Sequence, residues 1–223
     1  MLKRALSVLI TASLFSLPVV AEEAEWELKR DRDGIQVYTR PVEGSPYRAV
    51  RATMVVDSSL SAIVALIHDT DACPQWADLC AESRMIEQVS DTELFVYTLN
   101  DVPWPVSDRD ATSHVVWRQD PESLMVEMSA ELVSDKMPER KRTVRLQEGT
   151  TGWQFIPLEN GQVEIVSSAH LEPGGAIPGW LSNRLLVDSP FTTMKGMRDM
   201  LASGAYDDAE YAWISEPGSE ASE

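Results

Sequence analysis

Cations are scarce in this chain. Its 223 residues carry 19 Lys and Arg against 36 Asp and Glu, a formal net charge of −17. Phosphate-neutralising partners need clustered cations, so nucleic acid is excluded. Long-range attraction to anionic membrane surfaces is disfavoured for the same reason. Histidine is scarcer still. His68, His114 and His170 fall in separate segments, with no HExxH and no paired-Cys spacing, so no zinc site can be assembled from a local motif. There is no GxSxG elbow and no glycine-rich phosphate loop, which removes the common hydrolase and nucleotide-binding signatures. No cofactor is expected. Beyond the N-terminal segment no run approaches the ~20 apolar residues of a spanning helix.

What is present suits an ordinary folded domain. With 43% hydrophobic and 25% charged residues, the chain is neither disordered, collagenous nor a disulfide scaffold. Its length suits one or two domains burying roughly 70% of the unfolded surface, enough to fold without a metal or disulfide staple. The first 21 residues stand apart. Lys3 and Arg4 precede the apolar run Ala5–Leu17, and Pro18-Val19-Val20-Ala21 leads to acidic Glu22-Glu23. This reads as a signal peptide cleaved after Ala21, the alternative being an N-terminal membrane anchor. Loss of Lys3 and Arg4 leaves 17 basic against 36 acidic residues, a mature charge of −19. The expectation is an exported protein, periplasmic or secreted.

Export bears on the two cysteines, Cys73 and Cys80 in DACPQWADLC. An oxidising compartment favours their pairing. Seven residues of continuous helix would hold them about 10 Å apart, beyond disulfide reach. A bridge therefore requires Cys73 to precede a short helix opened by Pro74 and Cys80 to leave it. Two buried, unbonded thiols are the alternative. The CxxC spacing of redox sites is absent.

Along the mature chain, residues 23–30 read as a short helix carrying Trp26. Asp33-Gly34 turns the chain into an alternating strand at 35–40, and Gly44-Ser45-Pro46 into a second at 47–56. Ser58-Ser59 can cap a helix whose apolar positions are Leu60, Ile63, Val64 and Ile67. Strands follow at 84–89, 94–99, 109–118, 124–133, 143–147, 153–156 and 163–171, joined by turns. One long helix runs from about 178 to 203, bent at Pro190. The acidic stretch 207–223 lacks apolar periodicity and reads as a disordered tail. The prediction is one α+β domain, residues 22–206, with an antiparallel sheet.

Two strands bear on the interior. Arg109, Ala111, Ser113, Val115 and Trp117 share one face, as do Leu124, Val126, Met128, Ala130 and Leu132. The opposite face, with Asp110, Thr112, His114 and Arg118, reads as wet. Small and bulky side chains mix on the apolar face, which suits a cavity wall and a packed core equally. The final helix presents Trp180, Leu181, Leu185, Phe191, Met194, Met197 and Leu201 on one side and must lie across the sheet.

Three separated segments resemble the START domain, the helix-grip lipid-transfer fold, over about residues 26–203. They are Trp26 with RDRDGIQVYTR and the GSPYR turn, VPWPVSDRD with its Arg109-Asp110 pair, and HLEPGGAIPGWLSN leading into the last helix; Val144-Arg145 before Gly152-Trp153 also fits. The resemblance implies a curved sheet around a tunnel, closed by the C-terminal helix 178–203 and the Trp104 loop. It implies binding and transfer of one lipid without chemistry, by a monomer making transient membrane contact. Several family members place an arginine six residues after the Arg of the Arg-Asp pair, facing the cavity. Here that position is Val115, and its acidic partner is replaced near Thr98. Losing both members is self-consistent, because an isolated buried charge is costly. A weakly polar ligand is implied, sterol-like or fatty. Arg109 is expected to pair with Asp110 or a neighbouring carboxylate.

The expected lipid-binding residues are Thr98, Trp104, Arg109, Ser113, Val115, Trp117, Val126, Met128, Trp180, Leu181 and Met194. Two other readings remain open: a helix-grip enzyme, cyclase- or hydrolase-like, acting on a hydrophobic small molecule, and an interaction module with a filled core.

Overall fold

Tight polar turns between alternating apolar strands generate a meander. The computed structural model describes residues 24–175 and 177–218; the expected signal peptide, residues 1–21, lies outside them. β1 (Glu27–Arg32) and β2 (Ile35–Arg40) form a hairpin through Asp33 and Gly34, whose φ values of 54° and 72° suit a tight hairpin turn. The helix expected at 23–30 is therefore absent. Pairing with β2 claims those backbone groups, and Trp26, just before β1, is stacked by Arg40 and Arg51.

The chain continues through β3 (Ala49–Val56), α1 (Leu60–His68), a 3₁₀ turn (Thr70–Ala72) and the one-turn α2 (Cys73–Trp76). Then come β4 (Cys80–Ser90), β5 (Glu93–Asn100), β6 (Asp108–Gln119), β7 (Val126–Leu132), β8 (Thr143–Arg145), β9 (Gly149–Pro157) and β10 (Val163–Leu171). Sheet order is β1-β2-β3-β10-β9-β7-β6-β5-β4, with neighbours along this path antiparallel; β8 pairs in parallel with the start of β6. The expected α+β architecture with a curved antiparallel sheet is what the chain adopts.

Register builds the core in rows. Ile35, Met54, Ile165, Phe155 and Val126 are successive cross-strand partners over five strands, and all are buried. α1 covers this face with Leu60, Ile63, Val64 and Leu66. The C-terminal helical region divides into α3 (Gly179–Asn183), a π-helical turn (Arg184–Asp188) and α4 (Ser189–Leu201). Pro190 has no N–H for the Leu186 carbonyl, and the Ser189 N–H reaches back five residues to Arg184. The expected bend is thus a π turn. α4 lays Met194, Met197 and Leu201 on the core, each nearly fully buried.

Of the disordered tail expected at 207–223, residues 219–223 lie outside the described residues, and residues 207–218 are packed on the domain. Tyr211, Trp213 and Ile214 pack against the core, with Trp213 6.2 Å from the Trp117 ring. The Tyr211 hydroxyl lies 3.1 Å from His68 Nδ1. The Glu216 carboxylate accepts from the N–H groups of Leu60 (3.1 Å) and Ser61 (2.7 Å), joining Ser59 as a cap on α1. Three apolar anchors in an irregular segment have no period to detect.

Candidate functional site

β3 and β6 begin, and β5 and β10 end, at the same end of the sheet, where Asn100 pairs with Arg109 and Ala169 with Val50. Short side chains at Val50 and Ala169 on the sheet, and at Ser182 and Ser189 above it, leave space there. The result is a cavity of about 290 Å³ between this sheet end and residues 173–190. Val102, Leu146, Leu171, Ile177, Leu185 and Leu186 make most of its wall apolar; Tyr47, Arg48, Asp78, Asn100 and Arg109 are polar exceptions.

Its roof is fastened by polar contacts. Arg184 bridges Asp78 (2.9 Å), whose N–H donates to Thr193 Oγ1 (3.0 Å). Arg30 bridges Asp188 at 2.6 Å, Ser45 donates to Glu172, and Tyr47 donates to the Gly175 carbonyl at 3.3 Å. Asp78 and Leu79 are held in the wall by a disulfide between Cys73 and Cys80, whose Cα atoms are 6.1 Å apart. The single turn of α2, with Pro74 in its first turn, is what brings the two cysteines within reach.

Arg109 is the expected binding residue that lines this cavity, and its partners differ from expectation. Its guanidinium donates to the carbonyls of Ser107 (2.5 Å), Gly174 (3.2 Å) and Pro173 (3.3 Å). Asp110 is not its partner. Asp110 points to the other side of β6, where it is fully buried and receives both Nε and Nη2 of Arg145 at 3.0 Å, with the Tyr97 hydroxyl at 3.3 Å. These bonds to Asp110 raise the Arg145 pKa against its own burial. The face expected to be wet is therefore closed over Asp110 and Thr112, because Arg145 also binds the Met137 and Pro138 carbonyls and draws that segment across it.

The remaining expected residues divide. Val115, Trp117, Val126, Met128 and Met194 lie buried in one cluster with Phe155 and Ile165, so beneath α4 the interior is solid. Large side chains reach across from both layers and fill the volume where a tunnel was expected. Thr98 and Ser113 are half-buried on the cavity-facing side of the sheet without lining the cavity. Leu181 is fully buried in α3, next to the lining Ser182. Trp180 lies in α3, its side chain outside the described part of the structure. Trp104 is 88% exposed at the tip of the 101–107 loop, outside the cavity to which Val102 of the same loop contributes. Tyr47, Leu79, Leu146, Leu185 and Leu186 were not anticipated; strand ends converging on one side of the sheet would have pointed to them. Among the described residues, no group of three or more His, Cys, Asp or Glu side chains can hold a metal ion.

The two segments VPWPVSDRD and HLEPGGAIPGWLSN supply Val102, Arg109, Leu171, Pro173, Ile177 and Ser182, so they converge on this one cavity. The START domain family model matches residues 11–204. The chain belongs to the START family. An uncharacterised Pseudomonas aeruginosa protein is 32% identical over 191 residues, covering 85% of this chain and 93% of that one. The crystal structure of a STAR-related lipid transfer protein fragment from Xanthomonas axonopodis is 35% identical, with a TM-score of 0.73, covering 79% of this chain and 98% of that chain. The mouse phosphatidylcholine transfer protein is 24% identical over 170 residues, 72% of this chain and 76% of that one. The Xanthomonas axonopodis and mouse relatives of this START domain are named as lipid transfer proteins.

Proposed function

We propose that this START domain binds one lipid-like molecule in the cavity beneath residues 173–190 and carries it between membranes without chemistry. The observation that carries the reading is an apolar, roofed space built by the two family segments and closed by polar contacts that can exchange with water. Transfer of apolar surface into it gains about 25 cal/mol per Å² buried. A volume of about 290 Å³ is at the lower limit of the ~300–1,000 Å³ usual for small-molecule sites, which favours a single-chain, fatty ligand over a sterol-like or two-chain one. Exposed Trp104, beside the cavity, suits transient insertion at a membrane interface, since an indole ring has an apolar body and a polar N–H. We place this activity in the periplasm or outside the cell on the strength of residues 1–21, and read the carrier as a monomer.

The test is mass spectrometry of lipids co-purifying with the exported full chain, followed by transfer of the recovered class between donor and acceptor vesicles. A one-to-one lipid complex and protein-dependent transfer of unchanged lipid are expected. A lipid-free protein that moves none of the vesicle lipids overturns the reading, and a chemically altered lipid favours the enzyme alternative.

A further inference from the structure

Of the two buried arginines, Arg109 and Arg145, Arg109 is the one without an ion pair among the described residues. Arg30, Arg48, Arg84, Arg140, Arg145 and Arg184 each form an ion pair with a carboxylate. In a chain with 36 acidic residues, Arg109 has no carboxylate within ion-pair distance among the described residues, although it is only 7% exposed and lines the cavity. Asp108, its neighbour, is turned to the Val102 N–H. Asp78, the cavity's carboxylate, is taken by Arg184. Arg48, the other cavity cation, is bonded to Thr39 and Glu27.

A guanidinium has five N–H donors, and three of those on Arg109 reach carbonyls, leaving two. Neutral carbonyls satisfy hydrogen bonds without pairing the charge, and burial lowers the Arg109 pKa, opposed only in part by nearby Asp108 and Tyr47. A planar fork with free donors in an apolar chamber matches a bidentate anionic oxygen pair. Resting on the cavity reading above, we infer that the ligand is a single-chain amphiphile with an acidic head, carboxylate or phosphate, held by Arg109. This replaces the weakly polar head implied by Val115, because the cation is supplied from a different position on the same strand face. The acid would also compete for donors now spent on Pro173 and Gly174, coupling head recognition to the turn that closes the roof.

Isothermal titration of the lipid-stripped full chain with decanoate, decyl phosphate and 1-decanol, at about pH 8 where the acids are ionised, tests this. The wild type should bind at least one acid about tenfold or more tighter than decanol, equivalent to about 1.4 kcal/mol. Whichever acid binds tighter identifies the head as fatty-acid or phospholipid-derived. Arg109→Gln should abolish the preference, read as the ratio of acid to decanol affinity in the same variant, a neutral amide having no charge to offer. If Arg109→Gln fails to fold, Arg109→Lys carries the comparison, since it keeps the charge but loses the fork. It should lower the acid-to-decanol affinity ratio severalfold; an unaltered ratio overturns the inference. So does equal binding of all three ligands by the wild type, or a preference that survives in folded Arg109→Gln, and either leaves the cavity reading standing. Failure of all three to bind overturns both.

Discussion

Replacing Gly196 with alanine sets two opposed effects against each other at one atom. Gly196 lies in α4, and in a helix interior Gly→Ala is worth about 1 kcal/mol of added stability from backbone entropy alone. A Cβ at this position would overlap the Trp76 carbonyl oxygen and lie 2.9 Å from the Trp76 Cα. The obstacle is backbone, so no rotamer change relieves it. α2 cannot retreat easily, because Cys73–Cys80 ties its ends and Trp76 packs edge-on against Trp153 at 6.3 Å. Overpacking of this kind costs typically 1–3 kcal/mol, and a backbone-on-backbone contact belongs at the upper end. The net is a loss of about 2 kcal/mol, a fall of about 4–8 °C in melting temperature for a domain of this size. Denaturant and thermal unfolding followed by tryptophan fluorescence would measure it. The same pair of measurements under reducing conditions should show a smaller loss, since α2 is then free to shift, and the two perturbations share a contact and do not add. Gly196→Ala unfolding at or above the wild-type temperature would refute the close α2–α4 approach.

Three other perturbations have defined signs. Replacing Cys73 and Cys80 together by alanine removes a cross-link with a sequence separation of 7, worth about 2 kcal/mol by loop-closure entropy, so the urea midpoint should fall; an unchanged midpoint counts against the bond as a staple. Asp110→Ala strands the Arg145 guanidinium beneath the sheet and should cost about 3–5 kcal/mol, whereas Asp110→Ala with Arg145→Met should cost less than Asp110→Ala alone; a double variant no more stable than the single argues against the pair. His68 is packed against Trp117 and Tyr211, and burial holds its pKa below the usual 6.5. Below about pH 6.5 the unfolded chain takes up a proton that the folded chain does not, so stability falls as pH falls. Asp69, beside it, is engaged by Ala72 and Tyr206. His68→Phe should flatten the decline in melting temperature between about pH 7 and 5.5 relative to the wild type, and parallel declines would refute the assignment.

Much of the fold could be read from alternation. Ile35–Arg40 and Val163–Leu171 are strands because each alternates and is bounded by turns, and Ser59 caps α1 from its place before an apolar periodic run. The site was harder to read for a physical reason. Val115, Trp117, Val126 and Met128 face the inside whether that inside is filled or hollow, and alternation reports orientation only. Filling is decided by what reaches back from the opposite layer, here Met194 and Met197, and sequence periodicity carries no depth. The partner of Asp110 was likewise hidden: Arg145 is 35 residues away in sequence, while Arg109 is adjacent but points to the opposite face. Adjacency in a strand means separation across the sheet.

The division between a solid and a hollow half also says which part of the roof moves. α4 is held by buried side chains, Met194, Met197 and Leu201, each worth roughly 1.5–3 kcal/mol of apolar transfer. Residues 172–188 bury fewer such side chains, Leu181 and Val187, and are otherwise held by the buried Arg109 carbonyl contacts and by Arg184–Asp78, Arg30–Asp188 and Ser45–Glu172, partly exposed polar links of the kind worth about 0.2–1 kcal/mol each. Water replaces such links at little cost, whereas nothing replaces the packing of a methionine in a core. Lifting the whole helix, as a tunnel closed by residues 178–203 would require, therefore costs far more than opening its first half alone. The π turn at Arg184–Asp188 interrupts the regular ladder of hydrogen bonds between the two halves, so motion of the cavity roof need not be transmitted to α4. Entry to the cavity is then set by the polar clasps together with Leu181 and Val187, and the stability of the domain by the larger core beneath α4.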